Sequence, residues 1–372
     1  MQNQQSTPTL STLILSTNKA NITQTRWVES PNQPLQDGQI RLAIEHFAFT
    51  ANNATYAAFG KTMNYWDFFP QADALWGCIP VWGYAIIQES RCAGLALGDR
   101  FYGYYPFANS VVMQPVRVTE NSFIDGAANR SHLHALYNQY TNIAKDPSHH
   151  PKFDSLNALL RPLFITSFLI DDYFADQAFL GAKTIVLSSA SSKTAFGTAY
   201  CLAQRGASKP TIVGLTSASN LEFTRRLGLY DQVLSYDEVA LLDSSHETIY
   251  LDFSGSGSVR ASIHEHCKAL VYSCAIGGTH WQDLKSGAHL PGPTPTLFFA
   301  PAQLKKRITD WGGPALQAKV GAAMQSFMMA AADPSSAWMT IERHQGKDAA
   351  LQVYDSVMTG RAKPELGLMV SL

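Results

Sequence analysis

Hydrophobic and polar residues follow two different periods along the chain, and the first third has the short period of strands. Runs rich in β-branched and aromatic residues predict strands at 10–17, 39–47 and 80–89. The pair Asp37-Gly38 marks a turn before the second of these runs. Because no long helical period interrupts the strands, we expect this part to form a compact barrel-like or sandwich unit.

From about residue 156, apolar runs of helical length alternate with short strand-like runs. Strands are predicted at 184–187, 211–215, 232–234, 248–253 and 269–274, and helices at 159–174, 195–205 and 220–227. This βαβαβ order is typical of a parallel, doubly wound sheet. The expected fold class is therefore α/β, with a β-rich unit in front.

Composition narrows the functional classes. Lys+Arg 28 against Asp+Glu 29 give a formal charge of -1, so no field of one sign attracts nucleic acid or anionic lipid. The five cysteines form no C-x-x-C pair, which favours reduced thiols in the cytoplasm. No secretory signal is visible, and no window approaches 18 uncharged apolar residues. We therefore expect a cytoplasmic protein that binds neither nucleic acid nor membrane.

The segment between the two parts, residues 127–150, is polar and contains four histidines. These are His132, His134, His149 and His150. No carboxylate or thiolate accompanies them with the spacing of a metal site, so a solvated helix and loop is the preferred interpretation. No metal is expected.

The turn after the first strand of the second part reads Ser-Ser-Ala-Ser-Ser-Lys-Thr-Ala over residues 188–195. In a doubly wound sheet, this turn and the next helix present N–H groups to an anion, usually a pyrophosphate. The glycine pattern G-x-G-x-x-G is absent, although small side chains, hydroxyls and a lysine suit the same task. A merely tight serine-rich turn is the alternative. The candidate cofactor-binding residues here are Ser189, Ser191, Ser192, Lys193 and Thr194.

The end of the second strand indicates the type of cofactor. An NAD site commonly has Asp or Glu there, about 20 residues past the glycine turn, to hold the ribose hydroxyls. This chain instead has Thr216 and Ser217, followed by Asn220 and Arg225. Hydroxyl, amide and guanidinium groups suit a 2'-phosphate, so NADP(H) is favoured over NAD(H). The missing acid also counts against S-adenosylmethionine.

Four short motifs, in this order, resemble the medium-chain dehydrogenase/reductase superfamily, especially its zinc-free quinone oxidoreductase branch. They are Gly-Asp-Arg-Phe-Tyr-Gly at 98–103, Leu-Ala-Gln-Arg-Gly-Ala at 202–207, Leu-Gly-Leu-Tyr-Asp at 227–231 and Asp-Phe-Ser-Gly at 252–255. The resemblance implies a GroES-like β-rich catalytic domain, residues 1–157 with 301–372, and a Rossmann domain at 158–300. It also implies a homodimer. Candidates that follow the later predicted strands complete the cofactor set: Tyr236, Ser254, Gly277 and Thr279.

Longer runs, at 76–84, 160–168, 188–195 and 278–281, resemble an uncharacterised subfamily known only as a conserved domain of unknown function. That resemblance implies no substrate. Zinc-dependent members of the superfamily carry Gly-His-Glu near the position of Pro80 and a four-cysteine loop, and this chain has neither. A zinc alcohol dehydrogenase is therefore disfavoured.

Without a metal, reduction of a polarised C=C or C=O bond needs hydride from nicotinamide and donors that stabilise the developing oxyanion. In the zinc-free relatives, the segment after the second N-terminal strand lines the nicotinamide pocket. This resemblance makes Asn53, Tyr56 and Tyr65 the candidate catalytic residues, with a core or interface role for the tyrosines as the alternative.

The sequence thus predicts an NADPH-dependent, zinc-independent reductase of an activated C=C bond, quinone or carbonyl in a small hydrophobic substrate. The alternative is a catalytically silent dinucleotide-binding protein that serves as a sensor or a structural dimer. The replaced glycines favour the alternative, whereas the polar groups around Asn53 and Tyr56 favour the enzyme.

Overall fold

The computed structural model describes residues 11–146, 149–276, 290–336 and 338–372. The chain divides into two compact units, of which the first extends to Leu159 and resumes over Ile341–Leu372. The second unit is Leu160–Thr340. The sequence placed the return to the first unit at residue 301, so the second unit is longer at its C-terminal end than predicted.

Strands occur throughout the described part of the chain, whereas its longer helices all follow residue 150. The strands are β1 (Ser11–Asn18), β2 (Thr25–Pro31), β3 (Ile40–Ala48), β4 (Trp76–Gly77), β5 (Pro80–Ser90), β6 (Arg100–Pro106), β7 (Ser110–Met113), β8 (Pro115–Val116), β9 (Ser122–Asp125), β10 (Gln139–Asn142), β11 (Thr184–Leu187), β12 (Thr211–Thr216), β13 (Gln232–Ser235), β14 (Thr248–Asp252), β15 (Leu270–Ala275), β16 (Thr296–Leu297), β17 (Thr340–Gln345) and β18 (Leu366–Ser371). The α-helices are α1 (Ala51–Ala58), α2 (Asp154–Asp176), α3 (Lys193–Ala203), α4 (Leu221–Arg226), α5 (Gly257–His266), α6 (Ala300–Trp311), α7 (Gly313–Ala332) and α8 (Lys347–Met358).

Antiparallel sheets build the first unit. In the described part of the chain, one sheet has the order β2-β1-β4, and a larger one has the order β17-β18-β3-β5-β6-β10-β9-β8. Strand β7 pairs with β3 beside this path. The sequence-predicted β-rich unit is present, and its three predicted strands correspond to β1, β3 and β5.

A parallel sheet with the order β13-β12-β11-β14-β15-β16 forms the second unit. The central strand β11 pairs in register with both of its neighbours, so that Val186 lies opposite Val213 on one side and Tyr250 on the other. Val186 belongs to one buried cluster, whereas Ile185 and Leu187 belong to another. Both faces are therefore covered, which explains why the strands read as continuous apolar runs.

Residues 301–340 stay with the second unit because α6 and α7 are anchored to α2. Arg307 Nε on α6 lies 2.6 Å from Asp172 Oδ2 on α2. The ring of Phe327 on α7 stacks on that of Phe164 on α2, with centroids 4.8 Å apart. A buried ion pair and an aromatic stack are long-range contacts that the order of elements does not reveal.

The helical stretch over Pro151–Asp176 is long and apolar enough to cross a membrane, contrary to the expectation from the sequence. Length and composition alone support that possibility, and 61% of its most apolar window is buried inside the protein. It also carries Asp171, whose carboxylate is bonded to Arg205 at 2.6 and 2.8 Å. Such burial is typical of the core helix of a globular domain.

The polar segment around residues 127–150 is only in part the solvated helix and loop that its composition predicts, since His132, His134 and His150 are exposed but other polar residues are buried. It contains β10, which pairs with β6 and β9, and two of its polar side chains, Arg130 and Tyr140, are fully buried. Arg130 Nη1 donates to the Tyr140 hydroxyl at 2.8 Å. In the sequence alone, polar residues that have hydrogen-bond partners inside the fold look the same as polar residues that are exposed to water.

Candidate functional site

The turn between β11 and α3, residues 188–192, is called the serine turn below. Its second residue, Ser189, has a φ of 48°, in the left-handed region that glycine adopts readily and other residues rarely do. Ser192 caps α3, because its Oγ accepts a hydrogen bond from the Ala195 N–H at 3.4 Å. The first turn of α3, with Lys193 and Thr194, follows directly, so the positive end of the helix dipole lies at the serine turn.

Ser191 joins the serine turn to the end of the next strand. Its Oγ accepts from Thr216 Oγ1 and from Asn220 Nδ2, both at 3.2 Å. Three predicted cofactor-binding residues, from the turn, from β12 and from the segment after β12, are thereby in direct contact. Ser217, next in the chain, shares a hydrogen bond with the hydroxyl of Ser219 at 3.0 Å.

Two tyrosines hold the backbone of the serine turn. The Tyr236 hydroxyl, just after β13, accepts a hydrogen bond from the Ser189 N–H at 2.9 Å. The Tyr230 hydroxyl donates to the carbonyl of Ala190 at 2.7 Å. Tyr236 was predicted as a site residue and Tyr230 was not.

Beneath the turn lies a buried network centred on Asp252, at the end of β14. Its Oδ1 accepts from Ser188 Oγ at 3.0 Å and from Ser254 Oγ at 2.8 Å. Its Oδ2 lies 2.9 Å from Arg260, and both partners of this ion pair are at most 3% exposed. The predicted residue Ser254 thus contacts the turn both through Asp252 and directly, because its N–H donates to Ser188 Oγ at 3.1 Å.

The remaining predicted cofactor residues lie apart from these contacts. Arg225 is exposed on α4, and its guanidinium reaches the carbonyl of Val233 at 3.5 Å. Gly277 and Thr279 lie outside the described residues. The structure therefore brings together Ser189, Ser191, Thr216, Asn220 and Tyr236.

In the first unit, the side chain of the predicted catalytic residue Asn53 forms hydrogen bonds within the protein. It is the third residue of α1, and its Oδ1 accepts from the Thr50 N–H at 2.7 Å in a capping box. Its Nδ2 donates to the carbonyl of Pro80 at 2.8 Å. Both halves of the amide are thus bonded inside the chain.

The predicted catalytic tyrosines belong to a group of packed rings, called the aromatic cluster below. It consists of Tyr56, Tyr65, Phe68, Trp82, Tyr104 and Tyr137. The hydroxyl of Tyr56 accepts from Trp82 Nε1 at 3.1 Å, and those of Tyr65 and Tyr137 are 3.3 Å apart. Burial raises the pKa of both Tyr56 and Tyr65, so both stay protonated at neutral pH and are weaker acids than an exposed tyrosine.

A buried cation lies against the cluster. The Arg130 guanidinium is 5.6 Å from the ring centre of Phe68, a member of the cluster, and 3.1 Å from Asp125 Oδ2. Neither Arg130 Nη2 nor the hydroxyl of Tyr104 has a hydrogen-bond partner among the described residues. These polar groups mark the cluster as more than an apolar core.

Sequence reasoning missed Gly214, Tyr230 and Arg260 around the turn, and Trp82 and Tyr137 in the cluster. Tyr230 lies in the Leu-Gly-Leu-Tyr-Asp motif and Trp82 in the run at 76–84, but neither motif indicates what these side chains contact. The others come into contact through strand pairing and helix packing, which one local motif does not encode. Within the described ranges, no three His, Cys, Asp or Glu side chains gather as a metal site.

Comparison with protein families identifies the chain over most of its length. The family model described as "Protein of unknown function (DUF2855)" matches residues 47–363. Comparison with curated proteins finds no match.

Solved structures identify the fold. CurA from Vibrio vulnificus, in complex with NADPH, has a TM-score of 0.56 at 11% identity, with 97% of this chain and 99% of that chain covered. The quinone oxidoreductase from Coxiella burnetii has a TM-score of 0.53 at 13% identity, with coverages of 98% and 100%. The yhdH oxidoreductase from Salmonella enterica, in complex with NADP, has a TM-score of 0.51 at 13% identity, also with 98% and 100%. The predicted GroES-like and Rossmann architecture is confirmed.

Proposed function

We propose that this chain, which belongs to the DUF2855 family and has the medium-chain dehydrogenase/reductase fold, is an NADPH-dependent, zinc-independent reductase. Its substrate would be an activated C=C bond, quinone or carbonyl in a small hydrophobic molecule. The observation that carries the proposal is the contact of Ser191 with Thr216 and Asn220, which gathers neutral donors at the ends of β11 and β12.

The donor set fits the phosphates of a dinucleotide. The pyrophosphate would be held by the hydroxyls of Ser191 and Ser192 and by the N–H groups that begin α3, with Lys193 supplying positive charge. Small side chains at these positions replace the glycines of the usual pattern. The strained backbone at Ser189 is of the kind found at ligand-binding turns.

The same set favours a 2'-phosphate over a bare ribose diol. Thr216 is the last residue of β12, and no acidic residue follows it before α4. Hydroxyls of Thr216 and Ser217, the Asn220 amide and the Arg225 guanidinium would supply neutral or positive donors. A carboxylate at this position would repel the extra phosphate.

NADPH would supply hydride, and the first unit would supply polar groups for the substrate. Tyr56 and Tyr65 are protonated phenols, and either would donate a hydrogen bond or a proton to a developing oxyanion. The rings of the aromatic cluster would pack on a planar or apolar substrate. The five cysteines are free thiols, which supports the further proposal of a reducing, cytoplasmic location.

Binding of NADPH and NADH to the purified protein tests this function. Nicotinamide fluorescence and thermal shift should show micromolar affinity for NADPH and much weaker affinity for NADH. Lys193→Ala should weaken NADPH binding by roughly 10-fold, whereas Lys61→Ala, which removes an exposed lysine of the first unit, should not. A screen of enones and quinones for consumption of NADPH then tests catalysis. Equal affinity for the two cofactors would contradict the assignment of the 2'-phosphate donors.

A catalytically silent dinucleotide-binding protein is the second candidate. Two observations favour it: both halves of the Asn53 amide are bonded within the chain, and the Tyr56 hydroxyl is engaged by Trp82. Tight NADPH binding without turnover of any enone or quinone would support this candidate. Stereospecific hydride transfer to any of them would exclude it.

A further inference from the structure

The serine turn contains no glycine, but Ser189 has a φ of 48°, which glycine adopts more readily than serine. We infer that Tyr230 and Tyr236 are positioning residues, which hold the turn in the shape that glycine provides in a conventional dinucleotide site. This inference deepens the proposed function and rests on it, because the shape matters only if the turn receives a phosphate.

Ser189 is the point at which the turn needs support. Its φ of 48° is readily adopted by glycine but is unfavourable for serine, because the Cβ crowds the backbone. An unfavourable conformation persists when the surrounding structure overdetermines it. Bonds that fix the peptide groups on both sides of Ser189 are therefore required.

Tyr236 fixes the peptide group before Ser189, and Tyr230 fixes the peptide group after Ala190. Tyr236 receives the N–H of Ser189 at 2.9 Å, and Tyr230 donates to the carbonyl of Ala190 at 2.7 Å. The Ala190 N–H donates to the carbonyl of Leu215 at 2.9 Å, which ties the peptide group between Ser189 and Ala190 to β12. The backbone over these two residues is thus fixed at its amide, at its carbonyl and at the amide between them.

A glycine on the neighbouring strand makes this arrangement possible. A Cβ added to Gly214 on β12 would lie 2.9 Å from Ala190 Cβ and 2.9 Å from the Tyr230 ring. Real Cβ atoms do not approach other atoms so closely, so Gly214 is the residue that lets turn and tyrosine meet. The small residue that this close approach needs is therefore Gly214 on β12, and not a residue of the serine turn itself.

The bonds within the turn determine which N–H and O–H groups are still available to donate a hydrogen bond to a phosphate. The amides of Ser189 and Ala190 are bonded inside the protein, and the Ser192 N–H donates to the Ser189 carbonyl at 2.7 Å. A phosphate would therefore be bound by hydroxyls and by the start of α3, held at fixed positions by the clamped turn. Loss of either tyrosine hydroxyl would weaken binding without removing any group that touches the phosphate.

Tyr230→Phe and Tyr236→Phe test the inference, because each removes one hydroxyl and keeps the ring. Affinities for NADPH and for inorganic pyrophosphate, measured by calorimetry, should each fall about 3- to 10-fold, as expected for loss of one supporting hydrogen bond. Tyr173→Phe is the matched control, since it removes a hydroxyl bonded to Tyr272 in the same unit. It should leave both affinities within twofold of the wild type.

Rescue by glycine separates positioning from direct contact with the ligand. Adding Ser189→Gly to either Phe variant should restore affinity to within about twofold of Ser189→Gly alone, because glycine needs no clamp. Ser189→Ala keeps the Cβ and should not rescue. If Ser189→Gly fails to rescue, or Ser189→Ala rescues equally well, the inference is overturned.

A readout without ligand keeps this test independent of the proposed function. If the wild type binds neither NADPH nor pyrophosphate, the proposed function fails, while amide hydrogen exchange in the free protein still tests the clamp. Tyr236→Phe should speed exchange of the Ser189 amide by several-fold, and Tyr173→Phe should not. Unchanged exchange in Tyr236→Phe would overturn the positioning role.

Discussion

The aromatic cluster of the first unit and the serine turn of the second both contain hydroxyl groups, but different forces hold them. In the cluster, rings pack on rings, and the hydroxyls of Tyr56, Tyr65 and Tyr137 bond to neighbouring aromatic residues. In the turn, hydroxyls bond to other polar groups at the ends of strands, as Ser191 does with Thr216. Hydroxyl groups thus belong to a packed core in the aromatic cluster, whereas in the serine turn they lie at the ends of strands.

Burial makes this difference a matter of energetics. Tyr104, at the centre of the cluster, has no exposed surface; in the turn Ser191 is also buried, at 8% exposed, whereas Ser189 and Ser192 are half-buried. A polar group inside a core contributes mainly to stability, because its partner loses a bond when it is removed. A half-buried group at a strand end is accessible to a ligand. Changes in the cluster should therefore alter stability, and changes in the turn should alter affinity.

Replacement of Arg130 should have the largest effect. Arg130→Met keeps most of the volume but leaves the Asp125 carboxylate, 5% exposed, without its cation. Breaking such a buried pair should lower the free energy of unfolding by about 3–5 kcal/mol, measured by urea denaturation. NADPH affinity, measured under conditions where the variant is folded, should stay the same. A parallel loss of affinity would contradict the separation between the two regions.

Gly214→Ala should act on the turn. The new methyl group would lie 2.9 Å from both Ala190 Cβ and the Tyr230 ring, so the turn must shift. Overpacking of this kind costs about 1–3 kcal/mol, and NADPH affinity should fall in the same variant.

Gly321→Ala is the matched control for that substitution. A Cβ at Gly321, inside α7, meets no atom within 4 Å, and alanine is the better helix former. Its stability should rise slightly and its NADPH affinity should not change. An unchanged affinity in Gly214→Ala would show that the turn tolerates displacement.

The residues of the serine turn were predictable because each is placed by a local rule. Apolar runs of strand length end just before Ser188 and Ser217, and parallel strands bring their carboxyl ends to one edge. The contact of Ser191 with Asn220 follows from that geometry. Tyr230 was not predictable in the same way, since its hydroxyl reaches Ala190 across 40 positions of the sequence.

The aromatic cluster shows where local rules fail. Tyr137 lies in a polar stretch with histidines, which composition assigns to solvent, yet its ring packs on Tyr104 with centroids 4.7 Å apart. Asn53 was predicted as a donor to substrate, but the pattern Thr50-x-x-Asn53 at the start of α1 is also that of a capping pair. One residue type at one spacing thus has two interpretations, and only the tertiary contacts of Asn53 distinguish them.

Tyr56→Phe should have a smaller effect than either of the first two changes. It leaves Trp82 Nε1 without its acceptor at 3.1 Å, which should cost about 1 kcal/mol, measured by thermal denaturation. Tyr65→Phe should cost less, because its hydroxyl pairs with Tyr137 at a longer distance of 3.3 Å. NADPH affinity should be unchanged in both. If turnover of an enone falls at least 100-fold in one variant while its stability is kept, that tyrosine acts in catalysis and the cluster is more than a core.

At neutral pH the smallest effect should come from His46, which also sharpens the contrast between the units. Burial and then the nearby Arg100 lower the pKa of His46, so the folded protein keeps this histidine neutral at a pH where the unfolded chain protonates it. The unfolded state then binds more protons, and the free energy of unfolding falls as the pH drops below about 6.5, by at most about 1.4 kcal/mol per pH unit. His46→Phe keeps the ring beside Tyr84 and should reduce this slope in urea denaturation between pH 7.5 and 5.

Burial also lowers the pKa of His264 in the second unit, although both of its ring nitrogens are bonded, to Pro291 and Ser273, at 2.8 Å. His46 Nε2 has no partner among the described residues, so loss of its ring nitrogens breaks no bond at that atom. A slope unchanged by His46→Phe would assign the pH dependence to other groups, such as His149 or His264, whose pKa values burial also lowers.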